Sequence, residues 1–155
     1  MATTSIVTTV ILIRHGERND PSPANPDPHL NTAGKARAKK LIHVAGQSGI
    51  KAIYNSHFAR ARETAQPLAT HLGLSPIVMD EPLQIKSDIL SNHAGQTVLV
   101  IGHSDTVPDL INRLGAGSVP VIDDGEFDNL FVVKVFSQQR ASVTRLKYGN
   151  PSSVY

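Results

Sequence analysis

The stretch IVTTVILIRHGE, residues 6–17, indicates both the fold and the position of its functional site. Its first eight residues, Ile6 to Ile13, are β-branched or apolar, which is typical of a buried central strand in an α/β sheet. Ligands of such sheets bind beyond the carboxyl ends of the strands. Arg14 and His15 follow this strand directly. Because arginine pairs well with phosphate or carboxylate, and histidine can be a nucleophile or a proton carrier, the stretch predicts an anion site that contains a reactive imidazole.

The composition predicts one globular domain over residues 1–155. The chain is 40% hydrophobic and 18% charged, and it is long enough to bury a core. Its formal net charge of +2 argues against a nucleic-acid or membrane surface. The absence of cysteine excludes disulfides, thiol catalysis and cysteine-ligated zinc. Residues 1–13 lack the features of a signal peptide, so we expect a cytoplasmic protein. No oligomeric state is predicted.

Strands alternate with helices along the chain, which predicts a three-layer α/β/α fold with a mostly parallel central sheet. The further predicted strands are Ala52–Tyr54, Ile77–Met79 and Thr97–Ile101, followed by an antiparallel edge hairpin of Leu130–Phe136 and Ala141–Leu146. The predicted helices are Thr32–Ala45, Phe58–Leu72, Leu83–His93 and Val107–Leu114. We expect Thr32 to cap the first helix and Pro67 to kink or loosen the second.

For three other segments with polar residues, the sequence must be interpreted to decide whether those residues face the functional site or solvent. The proline-rich loop 19–28 either borders the functional site or is a plain surface connection. The basic residues of the first helix, Arg37 among them, are expected to face solvent. The acidic loop 123–128 is predicted to be a solvated turn, because its spacing fits no EF-hand.

Three motifs share one arrangement, in which an apolar strand is followed at once by ionisable residues. They are RHGE at 14–17, NSHFARARETA at 55–65 and GHSD at 102–105. Parallel strands place all three at one edge of the sheet, where two histidines, at least two arginines and two helix N-termini would meet. The sequence therefore predicts a site for a dianion with a nucleophile in it.

These motifs resemble those of the histidine phosphatase superfamily, the phosphoglycerate-mutase-like group. Arg14-His15-Gly16-Glu17 matches its signature, Ser56…Arg60-Ala61…Thr64-Ala65 its second arginine segment and Gly102-His103-Ser104 its second histidine segment. The resemblance extends from about residue 6 to the C-terminal hairpin. The small size is similar to that of compact SixA-like members, which have no long inserted cap.

The resemblance implies a role for each matching residue. His15 would attack phosphorus and form a phosphohistidine that water then hydrolyses, while the Gly16 carbonyl would orient the ring. Arg14, Arg60 and His103 would bind the phosphoryl oxygens. Glu17 and Ser104 would complete the substrate-binding set, although Glu17 could equally hold an arginine in place. No metal or other cofactor is implied, and the substrate would be a phosphorylated small molecule or a phosphoprotein.

The proton donor for the leaving group is the point where the chain departs from the family pattern. The glutamate of larger members would fall near Gln84 or Ile85. Asp105, Glu81 and Asp88 are the candidates, and Asp105 could equally be the N-cap of the helix that follows it. Two alternatives to a phosphatase therefore stay open: a phosphoryl-transfer or mutase enzyme, and a catalytically weak phosphate-binding module. A sugar-acid mutase is disfavoured, because Arg18-Asn19-Asp20 differs from the substrate-binding run of the mutases.

Overall fold

The structure is a computed structural model that describes residues 6–137 and 140–152. The strands are β1 (Thr8–Arg14), β2 (Ile50–Asn55), β3 (Ile77–Val78), β4 (Thr97–Gly102), β5 (Asn129–Ser137) and β6 (Arg140–Lys147). The helices are α1 (Thr32–Ala45), α2 (Ala59–Leu72), α3 (Pro82–Asn92) and α4 (Thr106–Ile111), the last continuing into a π-helical turn, Asn112–Ala116.

Within the described ranges, these strands form one sheet in the order β3-β2-β4-β1-β5-β6. β1 pairs in parallel with β4 and antiparallel with β5, so that Ile13 lies beside Ile101 on one side and Leu130 on the other. β2 is parallel to both β3 and β4, whereas β5 and β6 form the antiparallel edge. This arrangement confirms the predicted mostly parallel sheet with an antiparallel edge hairpin.

The alternation of side chains along β1 builds a core on each face of the sheet. Val10 and Leu12 pack with residues of α3 and α4 on one face. Ile11 and Ile13 pack with residues of α1 and α2 on the other. Since successive side chains of a strand point to opposite faces, an unbroken apolar run is what a strand covered on both sides requires. The three-layer α/β/α architecture is thereby confirmed.

The helix ends differ from the prediction in detail. Asn31, not Thr32, is the N-cap of α1, because its side-chain oxygen accepts a hydrogen bond from the Gly34 amide at 3.0 Å. Thr32 is the first helical residue. Pro67 lies inside α2, which nevertheless runs as one helix from Ala59 to Leu72. Pro82 begins α3, a position that suits proline because the missing N–H would be unpaired there in any case.

Arg37 on α1 is buried rather than solvated, so the expectation for this residue was wrong. Its guanidinium donates to both carboxylate oxygens of Glu17, at 2.8 and 3.0 Å. It also donates to the backbone carbonyls of Tyr148 and Asn150, at 2.8 and 2.7 Å. The C-terminal segment covers this side of α1, and helical periodicity carries no information about a segment so distant in sequence. Arg37 therefore ties residues 148–150 to the RHGE motif.

Among the residues that the structure describes, no helix combines the length and the apolar character that a bilayer crossing requires.

Candidate active site

The loops that follow β1, β2 and β4 meet at one edge of the sheet and bring the predicted site residues together. The His15 amide donates to the Gly102 carbonyl at 2.9 Å, which joins the ends of β1 and β4. The rings of His15 and His103 lie 5.1 Å apart, centre to centre. Arg60, near the start of α2, places its Nε 3.3 Å from Nε2 of His15. We call Arg14, His15, Arg60 and His103 the cationic cradle.

Hydrogen bonds fix the His15 ring in one tautomer. The guanidinium of Arg60 can only donate, so Nε2 of His15 must be the acceptor in their contact. Nδ1 then carries the proton, and it donates to the Gly16 carbonyl at 2.8 Å. The Nε2 lone pair consequently faces the centre of the cationic cradle. This is the orientation that an attacking imidazole needs.

The electrostatic surroundings keep His15 neutral. Its pKa is lowered from 6.5 to about 3, mainly by burial and in addition by the nearby His103, Arg14 and Arg60, against the opposing effect of the Gly16 hydrogen bond. Burial and the positive charge of Arg60 likewise lower the pKa of His103 to about 4. Both rings are therefore neutral near neutral pH, and Nε2 of His15 carries a lone pair rather than a proton.

Glycine is required where the motif loop crosses α1. A Cβ atom on Gly16 would lie 3.0 Å from both Cα and the carbonyl oxygen of Gly34. A Cβ atom on Gly34 would lie 2.0 Å from the Glu17 carbonyl oxygen. The Gly16 amide also donates to the Thr64 hydroxyl of α2, at 2.9 Å. The loop that carries His15 is thus held between α1 and α2 at backbone contact distance.

Arg14 is anchored by the acidic loop, whose prediction as a solvated turn was wrong. One nitrogen of its guanidinium, Nη1, donates to the backbone carbonyls of Asp123, Asp124 and Glu126, at 3.0, 2.8 and 3.0 Å. The Phe127 ring lies 4.1 Å from the guanidinium carbon and also adjoins His15. Nε of Arg14 is buried without a hydrogen-bond partner among the described residues. The loop therefore uses its carbonyl groups to hold an arginine whose charge has no carboxylate bound to it.

The proline-rich loop borders the site, which decides between the two readings of this segment. The carboxylate of Asp27 accepts from the Ala59 amide at 3.1 Å and lies 3.7 Å from Nη1 of Arg60. Phe58, the residue at the N-cap position of α2, has no side chain that can cap it. Asp27 supplies that function from a distant loop. The absence of a capping side chain at Phe58 is the sequence signal that could have pointed to such a partner.

The cleft beside His103 carries acidic side chains. Asp80, Glu81 and Asp105 line it, together with the exposed ring of His57, and its volume is about 550 Å³. We call these four residues the acidic rim. Asp80 was not singled out in the sequence, because only the fold shows that the loop after β3 reaches the end of β4.

The three proposed proton donors occupy different surroundings. Asp105 is exposed and caps α4 by accepting from the Thr106 amide at 2.9 Å. Asp88 accepts from the Tyr54 hydroxyl and from Asn92, and it does not line the cleft. Glu81 lines the cleft at the beginning of α3.

Two members of the predicted substrate-binding set lie apart from the cradle contacts. Glu17 turns toward Arg37 and forms the ion pair described above, the second of the two roles considered for it. Ser104 is half-buried in the turn between His103 and α4. Ser56 enters the site in a way the sequence did not specify, since its hydroxyl lies 2.7 Å from Nε2 of His103. Within the described ranges, no group of three or more His, Cys, Asp or Glu side chains is arranged to hold a metal ion.

The comparison with known families agrees with this geometry. A model described as histidine phosphatase superfamily (branch 1) matches residues 10–85, the range from β1 to α3 that holds two of the three motifs. Residues 10–85 of the chain therefore belong to the histidine phosphatase superfamily. The chain is accordingly a phosphatase by class, and the third motif, around His103, lies beside His15 in the same site. No curated protein matches the sequence.

Solved structures of this fold extend the likeness to nearly the whole chain. The protein histidine phosphatase SixA in complex with tungstate is 22% identical, with a TM-score of 0.68 over 90% of this chain and 96% of that one. A mycobacterial glucosyl-3-phosphoglycerate phosphatase is 14% identical, with a TM-score of 0.73 over 92% of this chain and 100% of that one. Mycobacterial hydrolase 1 is 12% identical, with a TM-score of 0.70 over 94% and 100%. At these identities the likeness establishes the shared fold.

Proposed function

We propose that this chain hydrolyses a phosphomonoester or a phosphohistidine without a metal ion, through a phosphohistidine formed on His15. One observation carries the proposal. The Nε2 lone pair of His15 faces the cationic cradle, because Nδ1 donates to the Gly16 carbonyl while Arg60 donates to Nε2. A neutral imidazole held in this way among positive charges is suited to attack a phosphorus atom that carries negative oxygens.

In the first step, Nε2 of His15 bonds to phosphorus as the bond to the leaving group breaks. Arg14, Arg60 and His103 bind the phosphoryl oxygens, whose charge is spread over three positions in the transition state. Their fixed positions matter more than their number, since positioning and charge neutralisation supply most of the catalysis of phosphoryl transfer. Arg14 is already fixed by three carbonyls and the Phe127 ring, so little reorganisation is needed when the substrate binds.

In the second step, a water molecule attacks the phosphorus of the phosphohistidine and the P–N bond breaks. The electron pair of that bond returns to Nε2, and His15 recovers the tautomer with its proton on Nδ1. Inorganic phosphate leaves with the oxygen of the water. The Gly16 carbonyl accepts from Nδ1 throughout, so the ring keeps its orientation through both steps.

The charges in the cradle support the proposed metal independence. Burial lowers the pKa of both Arg14 and Arg60, which reflects the cost of keeping two guanidinium groups desolvated. A bound phosphoryl dianion offsets that cost by supplying the missing negative charge. The two guanidinium groups thus fill the role that a divalent cation has in other phosphatases.

The substrate class is proposed from the rim of the site. The cleft beside His103 is open and lined by side chains of three loops, and the described residues include no inserted cap domain. Such a site accepts a phosphorylated side chain of a protein as readily as a small phosphate ester. The name of the SixA relative, a protein histidine phosphatase, is in line with the first of these.

The test is hydrolysis of p-nitrophenyl phosphate and of a phosphohistidine peptide in the presence of EDTA. We expect turnover by the wild type and a loss of at least about 10⁴-fold in kcat for His15→Ala. His43→Ala, which changes an exposed histidine of α1, is the matched control. Activity that EDTA abolishes and a divalent ion restores would contradict metal independence.

Labelling with ³²P separates the two alternatives to hydrolysis. An acid-labile, base-stable label that turns over in water supports the proposed phosphohistidine. A label that turns over only with an added acceptor would indicate a phosphoryl-transfer enzyme. Phosphate binding without label or His15-dependent release, tested with several esters and phosphoproteins, would indicate a binding module.

A further inference from the structure

A histidine–carboxylate pair lies on the acidic rim, next to the cationic cradle. Nδ1 of His57 lies 2.9 Å from Oδ2 of Asp80 and 3.0 Å from Oδ1. The same carboxylate accepts from the backbone amide of His57 at 2.8 Å. Because one carboxylate holds both the ring and the backbone, Nδ1 is committed to Asp80. The second ring nitrogen, Nε2, is left as the one that can exchange a proton with a substrate.

Stacked rings connect this pair to the cradle. The His57 ring packs on Phe58 with ring centres 4.1 Å apart. Phe58 in turn meets the His103 ring edge-on at 5.3 Å and lies 4.3 Å from the guanidinium carbon of Arg60. Only the Phe58 ring therefore separates His57 from His103 and Arg60, and His57 lines the cleft beside them. A leaving group that extends from a bound phosphoryl group into the cleft passes this ring.

The carboxylates near the site are less well placed to carry a proton. Asp88 is bound by the Tyr54 hydroxyl and does not line the cleft. Asp105 uses Oδ1 to cap α4. Burial raises the pKa of Asp80, but hydrogen bonds from His57 outweigh this and lower it overall, so this carboxylate stays ionised. Glu81 is the remaining competitor and is tested below.

We propose that His57 is the catalytic residue that protonates the leaving group, with Asp80 as its positioning residue. The inference rests on the proposed function. As Nε2 of His15 bonds to phosphorus and the bond from phosphorus to the leaving oxygen breaks, the proton on Nε2 of His57 moves to that oxygen. Neutral His57 then takes a proton from the attacking water as the P–N bond breaks. Both rings end in their starting states, and the products are an alcohol and inorganic phosphate.

The experiment compares two leaving groups on the intact chain. p-Nitrophenolate leaves readily without a proton, whereas phenolate depends on one more strongly. His57→Gln is expected to lower kcat for phenyl phosphate by about 100-fold more than kcat for p-nitrophenyl phosphate. Asp80→Asn is expected to shift the ratio in the same direction by about tenfold, because the ring loses its orientation but keeps its nitrogen. His57 is 59% exposed, so the substitution leaves the core intact.

The chain provides a matched control in the pair of His29 and Glu63, which is another exposed histidine bound to a carboxylate near α2. His29 does not line the cleft. His29→Gln is expected to leave the ratio of the two rates at the wild-type value. An equal change of the ratio in His29→Gln and His57→Gln would overturn the proposal, since it would show a general effect of charge on the rim.

The pH profile provides a second readout. A group that must be protonated gives the kcat profile for phenyl phosphate a basic limb, and this limb is expected to disappear in His57→Gln. The charged and titratable groups that face His57 are Asp80, Glu81, His103, Asp105 and Asp109 around the cleft, with Arg62 at its backbone carbonyl.

A leaving-group effect in Glu81→Gln or Asp105→Asn, with none in His57→Gln, would assign the proton to that carboxylate instead. If the wild type forms no labelled phosphoenzyme, the proposed function is refuted. If the label forms and His57→Gln leaves the ratio of kcat for the two esters unchanged, only this inference is refuted.

Discussion

The cationic cradle and the acidic rim lie side by side but are built in opposite ways. In the cradle, Arg14 is 6% exposed and His15 2% exposed, and backbone carbonyls hold both. On the rim, His57 and Asp80 have side chains that are 59% and 46% exposed. In the proposed mechanism, the cradle binds the phosphoryl group and the rim meets whatever is attached to it. On that proposal, capture of the phosphoryl group depends on buried side chains that the fold fixes, whereas the choice of leaving group depends on a few surface side chains.

Removal of a cradle cation gives the largest effect that this contrast predicts. Arg60→Ala should lower kcat/KM by about 10²–10³-fold, because a guanidinium that contacts the transferred group is lost. Arg60→Lys should recover only part of this, since lysine lacks the planar fork. Steady-state kinetics with p-nitrophenyl phosphate measures both, and Arg113→Ala, which breaks a surface pair with Asp109, is the control. A loss of less than tenfold in Arg60→Ala would remove Arg60 from the cradle.

The ion pair beneath the cradle predicts an effect on stability. Glu17→Gln leaves the buried Arg37 guanidinium without its carboxylate, which should lower the free energy of unfolding by about 3 kcal/mol. Asp109→Asn, at an exposed pair, should cost less than about 0.5 kcal/mol. Urea unfolding measures both. If Glu17→Gln weakens phosphate binding at unchanged stability, Glu17 is a substrate ligand rather than a support for Arg37.

The pH dependence of stability sharpens the contrast in burial. The pKa of His15 is about 3 in the folded chain and near 6.5 when unfolded, so the unfolded state binds more protons between these values. The contribution of neutral His15 to the free energy of unfolding is fully present above about pH 6.5 and is lost as the pH falls toward 3. Between pH 6.5 and 5 the wild type should lose roughly 1.5 kcal/mol more than His15→Gln, whereas exposed His43→Gln should follow the wild type. Parallel curves for wild type and His15→Gln would show that the ring is not buried.

The smallest expected effect concerns the ring beneath Arg14. Phe127→Leu removes a cation–π contact of about 0.5–2 kcal/mol, which corresponds to a loss of roughly two- to thirtyfold in kcat. Phe127→Tyr keeps the ring and should restore most of the rate. Phe136→Leu, at a half-exposed phenylalanine of β5, is the control. If Phe127→Leu and Phe127→Tyr are equally impaired, the ring does not act through its contact with Arg14.

The sequence predicted the cradle because its members follow strands. An unbroken apolar run identifies β1, and Arg14, His15 and His103 come at the ends of such runs. Asp27 and Phe127 could not be found in this way. They reach the site from irregular loops, and the position of such loops depends on tertiary packing rather than on any local pattern.

The rim was harder to read for the same reason. The loop after β3 lies next to the end of β2 because these two strands pair in parallel. Asp80 therefore meets His57 across this strand pair, which the order of residues does not reveal. The prediction of Arg37 as a solvated side chain failed on a related point, because the segment that covers it, 148–150, comes from the end of β6.

The position of β1 also bears on how the chain is made. Thr9 pairs with Thr97 of β4 and with Lys134 of β5, so this apolar strand leaves the ribosome long before either neighbour exists. At typical rates of synthesis it waits roughly ten seconds with its edges unpaired. During that interval the segment 8–14 is a target for chaperones and a seed for aggregation. The same strand that fixes His15 in the finished enzyme is thus the part of the nascent polypeptide most in need of protection.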